Sequence, residues 1–130
     1  MNPDEIREAL RYFYGTENYY IYRNPFGRET TMRYTDGVQK MAELCKAYWL
    51  IDAVISHQHG RIADERFQIW VLKRHQYKSG SRKGCGYWEL EATDGNDNPI
   101  ARQKIEFSDF PLDEIKLYFS RGVLMLPSEY

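Results

Sequence analysis

The sequence predicts an α+β fold: an antiparallel sheet of three or more strands (66–73, 87–93 and 100–107) packed on a long central helix (36–57), with short N- and C-terminal helices. Two observations carry that expectation. Apolar residues recur with helical spacing through the first half of the chain and then alternate with polar ones from residue 66 onward. The strand-like segments also follow one another without intervening helical stretches, which favours hairpins over crossover units. The length, 130 residues, suits one domain over 1–130, and 28% charged with 42% hydrophobic residues excludes a disordered chain.

Pro3 with Asp4 and Glu5 is a favourable helix start, because Pro suits the first turn and acids there oppose the dipole. Ile6, Leu10 and Phe13 form its apolar stripe, and Gly15 marks its end. Tyr19-Tyr20-Ile21-Tyr22 is strand-prone, Asn24-Pro25-Phe26-Gly27 is a turn, and Thr31–Tyr34 reads as a second short strand. From a cap at Thr35-Asp36-Gly37, the residues Val38, Met41, Ala42, Cys45, Tyr48, Trp49 and Asp52 follow one helical stripe. Tyr48–Ile55 is apolar nearly all round, as expected of a helix buried on several sides, and a break near Lys46-Ala47 is left open.

Arg66–Lys73, Tyr87–Thr93 and Ile100–Phe107 alternate with period two, and Asp94–Pro99 is a turn. Setting Glu91 against Arg102 and Glu89 against Lys104 brings opposite charges together on one face. The other face then pairs Trp88 with Ile105 and Ala92 with Ala101. Asp109-Phe-Pro111 is read as the cap of a last helix, Leu112–Phe119, stopped by Gly122. Val123–Leu126 follows as a short strand or packed tail.

Few residues suggest chemistry. His57-Gln58-His59 with Asp64 nearby is too sparse for a zinc site, and no third ligand has convincing spacing. Asp52 lies within Trp49–Ile55, where an uncompensated charge costs several kcal/mol, so it must reach a rim or find partners. No nucleophile elbow or phosphate-binding glycine loop occurs; neither catalytic residues nor a cofactor or metal is expected. The acidic N-terminus has no apolar leader, and the longest apolar run is far shorter than a membrane span. Cys45 and Cys85 lack metal-type spacing, which fits a reduced, cytoplasmic protein, with a Cys45–Cys85 disulfide as the alternative.

The net charge of −1 hides an asymmetry. Six bases and no acids lie between Arg66 and Trp88, against eight acids and two bases between Glu89 and Glu114. The hairpin tip at 73–84 is therefore a basic finger with Lys73, Arg74, Tyr77, Lys78, Arg82 and Lys83. Pairing Val71 with Trp88 sets Trp70, Leu72 and Tyr87 on one face beside that finger, opposite Phe67, Ile69 and Val71. Aromatic rings beside bases suit protein contacts and nucleic-acid stacking alike. Core positions are expected for Phe13, Tyr48, Trp49, Phe67, Trp88 and Phe107, while Tyr19, Tyr20 and Tyr22 have none assigned.

Tyr34-Thr-Asp-Gly-Val38, Ala47-Tyr-Trp-Leu-Ile-Asp-Ala53, Asp109-Phe-Pro-Leu112 and Leu124-Met-Leu-Pro-Ser-Glu-Tyr130 together resemble an uncharacterised family of small bacterial proteins, often met in mobile or accessory genome segments. Phe67-Gln-Ile-Trp70 and Asp94-Gly-Asn96 fit the same pattern, and the finger does not. The resemblance implies a bacterial, intracellular accessory protein of unknown function and carries over no site residues.

The expected function is a non-enzymatic binding module acting through protein–protein contact or self-association, with Trp70, Leu72, Tyr87 and the finger as its surface. A nucleic-acid-binding accessory protein using Lys73, Arg74, Lys78, Arg82 and Lys83 with Tyr77 and Trp70 is the alternative. A small hydrolase or metal enzyme around Asp52 and His57 is the third reading.

Overall fold

A computed structural model describes residues 2–15, 18–24, 29–76 and 86–130. The chain runs α1 (Pro3–Leu10), β1 (Tyr19–Arg23), β2 (Glu29–Thr35), α2 (Asp36–Cys45), α3 (Tyr48–Ser56), α4 (Gly60–Ala63), β3 (Phe67–Gln76), β4 (Gly86–Thr93), β5 (Pro99–Ile105), β6 (Glu114–Ser120) and β7 (Val123–Met125), and ends in a 3₁₀ turn at Pro127–Glu129. The α+β class holds, with a larger sheet than expected. Seven strands lie in the order β1-β2-β7-β6-β3-β4-β5. The sheet is mixed, because β2 and β7 are parallel (Arg33 beside Val123, Tyr34 beside Leu124) and the remaining pairs antiparallel.

The N-terminal helix begins as its sequence suggests. Asn2 caps it by accepting the Glu5 amide at 2.9 Å, and Ile6 is its buried anchor. The helix expected over 36–57 is in fact two. Lys46 adopts a left-handed conformation (φ 52°) and ends α2; the Ala47 amide returns to the Ala42 carbonyl at 2.9 Å. Ala47 is fully buried, so the bend occurs where a small side chain lets the two helices approach the sheet closely.

The expected C-terminal helix over 112–119 is strand β6. Its alternation is plain in the burial: Ile115, Leu117 and Phe119 point into the core, between exposed Glu114 and Lys116. Gly122 is no helix stop. Arg121 (φ 52°) and Gly122 (φ 79°) form the two-residue turn of a β6–β7 hairpin, where positive φ at both positions matches the twist of the strands.

The β4–β5 register is the one predicted, Glu89 opposite Lys104 and Glu91 opposite Arg102, with Arg102 Nη2 3.0 Å from Glu91 Oε2. The β3–β4 register is different. Val71 faces Glu91 rather than Trp88, and Trp88 faces Arg74. That shift sends Tyr87 to the face opposite Trp70 and Leu72. Phe107 lies beyond β5 and is 84% exposed, not core.

One face of the sheet carries Trp70, Leu72, Trp88, Leu90, Ala92, Ile115, Leu117, Phe119 and Leu124, which join the buried residues of α1, α2 and α3 in a single cluster. Gln68 is the polar exception at 0% exposure. It exchanges two hydrogen bonds with Gln58 (2.8 and 3.0 Å), donates to the Ile62 carbonyl at 2.8 Å and accepts from Trp70 Nε1 at 2.8 Å. Such full pairing is what makes a buried amide tolerable. On the outer face Phe67, Ile69 and Val71 are half-buried, and Phe67 meets Tyr118 and Tyr130 at 5.0 and 5.1 Å.

Glu129 ties the C-terminus to the start of α2. Its carboxylate accepts from Thr35 Oγ1 at 2.6 Å, the Gly37 amide at 3.1 Å and the Leu126 amide at 3.0 Å. Gly37 is needed there, since a Cβ would press on Glu129 Oε1 and lie 2.6 Å from Leu126 Cδ1. Glu129→Ala and Gly37→Ala are each expected to lower unfolding free energy by about 2–4 kcal/mol in urea titrations. Glu129→Gln, which retains two acceptor sites, should lose less. Wild-type stability in both alanine variants would refute this account of the clamp.

Candidate functional site

Trp70 and Leu72 are each 1% exposed and sit in the core, so they present nothing at the surface. Tyr87 is on the outer face, stacked on His75 at 5.1 Å with Lys104 Nζ 4.8 Å from its ring centroid. Lys73 and Arg74 are exposed, and Arg74 approaches Asp113 at 3.8 Å. Tyr77, Lys78, Arg82 and Lys83 lie outside the described residues, as does Cys85. The surface expected from Trp70, Leu72 and Tyr87 is not assembled, because the β3–β4 register divides those residues between two faces.

His57 and Asp52 are not brought together either. His57 Nε2 meets Gln103 Oε1 of β5 at 2.8 Å, whereas Asp52 bonds to β1, the opposite edge of the sheet. Among the described residues no group of three His, Cys, Asp or Glu is placed to hold a metal ion. Cys45 is a free, buried thiol, and burial pushes its pKa up to about 11.

The structure instead forms a groove of about 530 Å³ where β1 and β2 meet α3. The register that sets Tyr20 beside Tyr34 turns both toward the helical face, and their rings stack at 5.4 Å with planes 14° apart. Tyr22, two residues along the same strand, points the same way and is buried. From the helix come Tyr48 and Asp52, one turn apart and so on one face. Tyr48 was expected in the core; it is 46% exposed, and its Oη accepts from Gln39 Nε2 at 2.7 Å.

Asp52 accepts a hydrogen bond from Tyr22 Oη at 2.7 Å and is otherwise exposed at the groove. This answers the problem the sequence poses, a carboxylate within an apolar helix: it reaches a rim and has a tyrosine for a partner. The Tyr22 hydroxyl is pushed up to about 12, first by burial, then by its hydrogen bond to Asp52 and by the Asp52 charge. The Tyr34 hydroxyl is also raised, by burial first and then by Tyr48, Tyr20 and Asp52. Five tyrosines (Tyr19, Tyr20, Tyr22, Tyr34 and Tyr48) and the Asp52 carboxylate thus line one groove, together with Arg23, Ile21 and Ile51.

Comparison with known families agrees with the expectation of an uncharacterised family. A family model described as a family of unknown function (DUF6876) matches residues 4–130. The chain belongs to that family. No curated protein and no solved structure matches the chain. Family membership therefore assigns no activity, and the site is read from its own geometry. The signals for it were the unassigned Tyr19-Tyr20-Ile21-Tyr22 run and the isolated Asp52; what joins them is the β1–β2 pairing beneath α3.

The Tyr22 proton is held more tightly in the folded chain than in the unfolded one, where the ordinary value is 10.0. The stability it contributes is complete below that value and is lost as pH rises through about 12. Alkaline absorbance titration of wild type minus Tyr22→Phe should show one tyrosine ionising near about 12, and the variant should be destabilised at neutral pH by about 1–2 kcal/mol. A difference curve centred at the ordinary tyrosine value would show that the Tyr22–Asp52 bond does not form.

Proposed function

We propose that this protein is a non-enzymatic binding module of a bacterial, cytoplasmic accessory system, and that it works by protein contact through self-association along β1. The supporting observation is the character of that strand. β1 is an edge of the sheet, with Tyr19, Tyr20 and Ile21 exposed by 52%, 40% and 45%. Natural proteins guard sheet edges, since unpaired backbone groups beside apolar side chains invite a further strand. The other edge, β5, has such guards in Pro99, Arg102 and Lys104. On β1 the guards are a bulge between Ile21 and Arg23 and the charge of Arg23 at its end.

The sequence of β1 is also complementary to itself. Antiparallel pairing of two copies about Ile21 sets the two Ile21 side chains against each other and Tyr19 against Arg23 of the second copy. Cross-strand apolar and cation–π pairs of this kind stabilise sheets. A second copy supplies the missing strand without any change in fold.

The groove and the helix geometry weigh against the other two readings. A carboxylate at the groove opposes phosphate, so a nucleic-acid role would rest on Lys73, Arg74 and the finger alone. An enzyme built on Asp52 and His57 would need two groups that engage opposite edges of the sheet.

Light scattering during size-exclusion chromatography should give a mass that rises to that of a dimer with concentration. Ile21→Lys, which places a charge at the centre of the edge, should be monomeric throughout with unchanged thermal unfolding. A monomeric wild type at the highest attainable concentration, or a dimeric Ile21→Lys protein, would overturn the proposal.

A further inference from the structure

The β1–α3 groove has its own chemistry, separate from the pairing of the β1 edge. Asp52 uses Oδ1 to accept from Tyr22, and among the described residues no base forms an ion pair with it, although Arg23 contributes to the same lining. Tyr22 Oη lies 2.7 Å from Asp52 Oδ1, and Tyr20, Tyr34 and Tyr48 line the same space. Tyr20 and Tyr34, stacked on the strand side, and Tyr48 on the helix side give the wall its ring surface, and Ile21, Ile51 and Arg23 complete it. A negative centre among phenolic oxygens and electron-rich ring faces is complementary to one kind of guest, a cation with an apolar exterior.

Other guests fit less well. An anion meets the carboxylate. A divalent metal ion finds a single carboxylate where it needs several hard ligands. A neutral apolar guest would cover Asp52 without compensating the loss of its water. We infer that the groove binds an alkylammonium group, carried by a free organic cation or by the side chain of a methylated lysine. The inference does not depend on dimerisation, since Asp52, Tyr34 and Tyr48 all belong to one chain.

The probes are choline, its uncharged carbon isostere and a short peptide bearing trimethyllysine, each titrated into the full chain and followed by tyrosine ring resonances and by calorimetry. Choline is expected to shift the Tyr20, Tyr34 and Tyr48 rings saturably and the isostere is not. Asp52→Asn should weaken choline by about tenfold or more, and Tyr48→Ala, which alters a half-exposed side chain, should weaken it also. Tighter binding of the peptide than of choline assigns the guest to a partner's side chain, and the reverse order assigns it to a small molecule. Choline should bind equally well at protein concentrations where the chain is a monomer and where it is a dimer, which separates this site from β1 pairing. Equal shifts from choline and its isostere, no saturable shift with any probe, or wild-type affinity in Asp52→Asn would overturn the inference.

Discussion

The Glu129 carboxylate holds together parts of the chain that local structure leaves independent. Its partners are Thr35 Oγ1 and the Gly37 amide, more than ninety positions away (|i−j| 94 and 92), and the nearby Leu126 amide. Thr35 is both the last residue of β2 and the cap of α2, so β2 passes into α2 with no loop between them. With that junction held, the parallel β2–β7 pair is joined to the helix it feeds. The position of α2, and through the Lys46 bend that of α3, is thereby set relative to β1 and β2. The groove occupies the space between those elements. A charged acceptor with three donors is a strong local constraint, and it needs Gly37, because any side chain there would displace it.

A second constraint operates at the far end of α3. Gln68 pairs with Gln58 and with the Ile62 carbonyl, fixing where the chain leaves α3 and enters β3. His57 adds a contact to Gln103 and lies 5.3 Å from Trp70, ring to ring. The helix is thus held by polar contacts near its C-terminal end and by Tyr22–Asp52 nearer its start, across a core of Leu50, Ile51, Val54 and Ile55. These apolar residues supply burial without direction, while the polar pairs fix how the helix sits on the sheet.

What could be read in the sequence was what local pattern determines. The start of α1, the β4–β5 register and the strands of the first two hairpins follow from spacing and from opposed charges, and the structure agrees. The failures came where one local signal had two meanings. Gly122 reads equally as a helix stop or as the second residue of a two-residue hairpin turn; the alternation of Ile115, Leu117 and Phe119 was the discriminating pattern. Lys46 carries no mark of a left-handed residue, and only the packing of two short helices on a twisted sheet demands one there. The β3–β4 register depends on the length of the connection around residues 77–85, which alternation alone does not fix, and the error moved Tyr87 to the wrong face. The groove was beyond reach for a further reason. It joins residues about thirty positions apart through strand pairing, and no local spacing links them.

The use of tyrosine at this end of the sheet bears on what the groove is for. A core position filled by Phe would gain the same burial without a hydroxyl to satisfy, and position 52, filled by a small apolar residue, would need no partner. The chain instead places Tyr22 in the core (7% exposed) and spends its hydroxyl on Asp52. The bond compensates the carboxylate only in part, since Asp52 has two oxygens and Tyr22 one proton. The pair holds Asp52 in one orientation at the groove. Tyr20, Tyr34 and Tyr48 then set the ring faces around it. A fixed charge beside an aromatic wall is the arrangement that preorganised recognition requires, with the orienting contact supplied by a buried side chain of a regular strand.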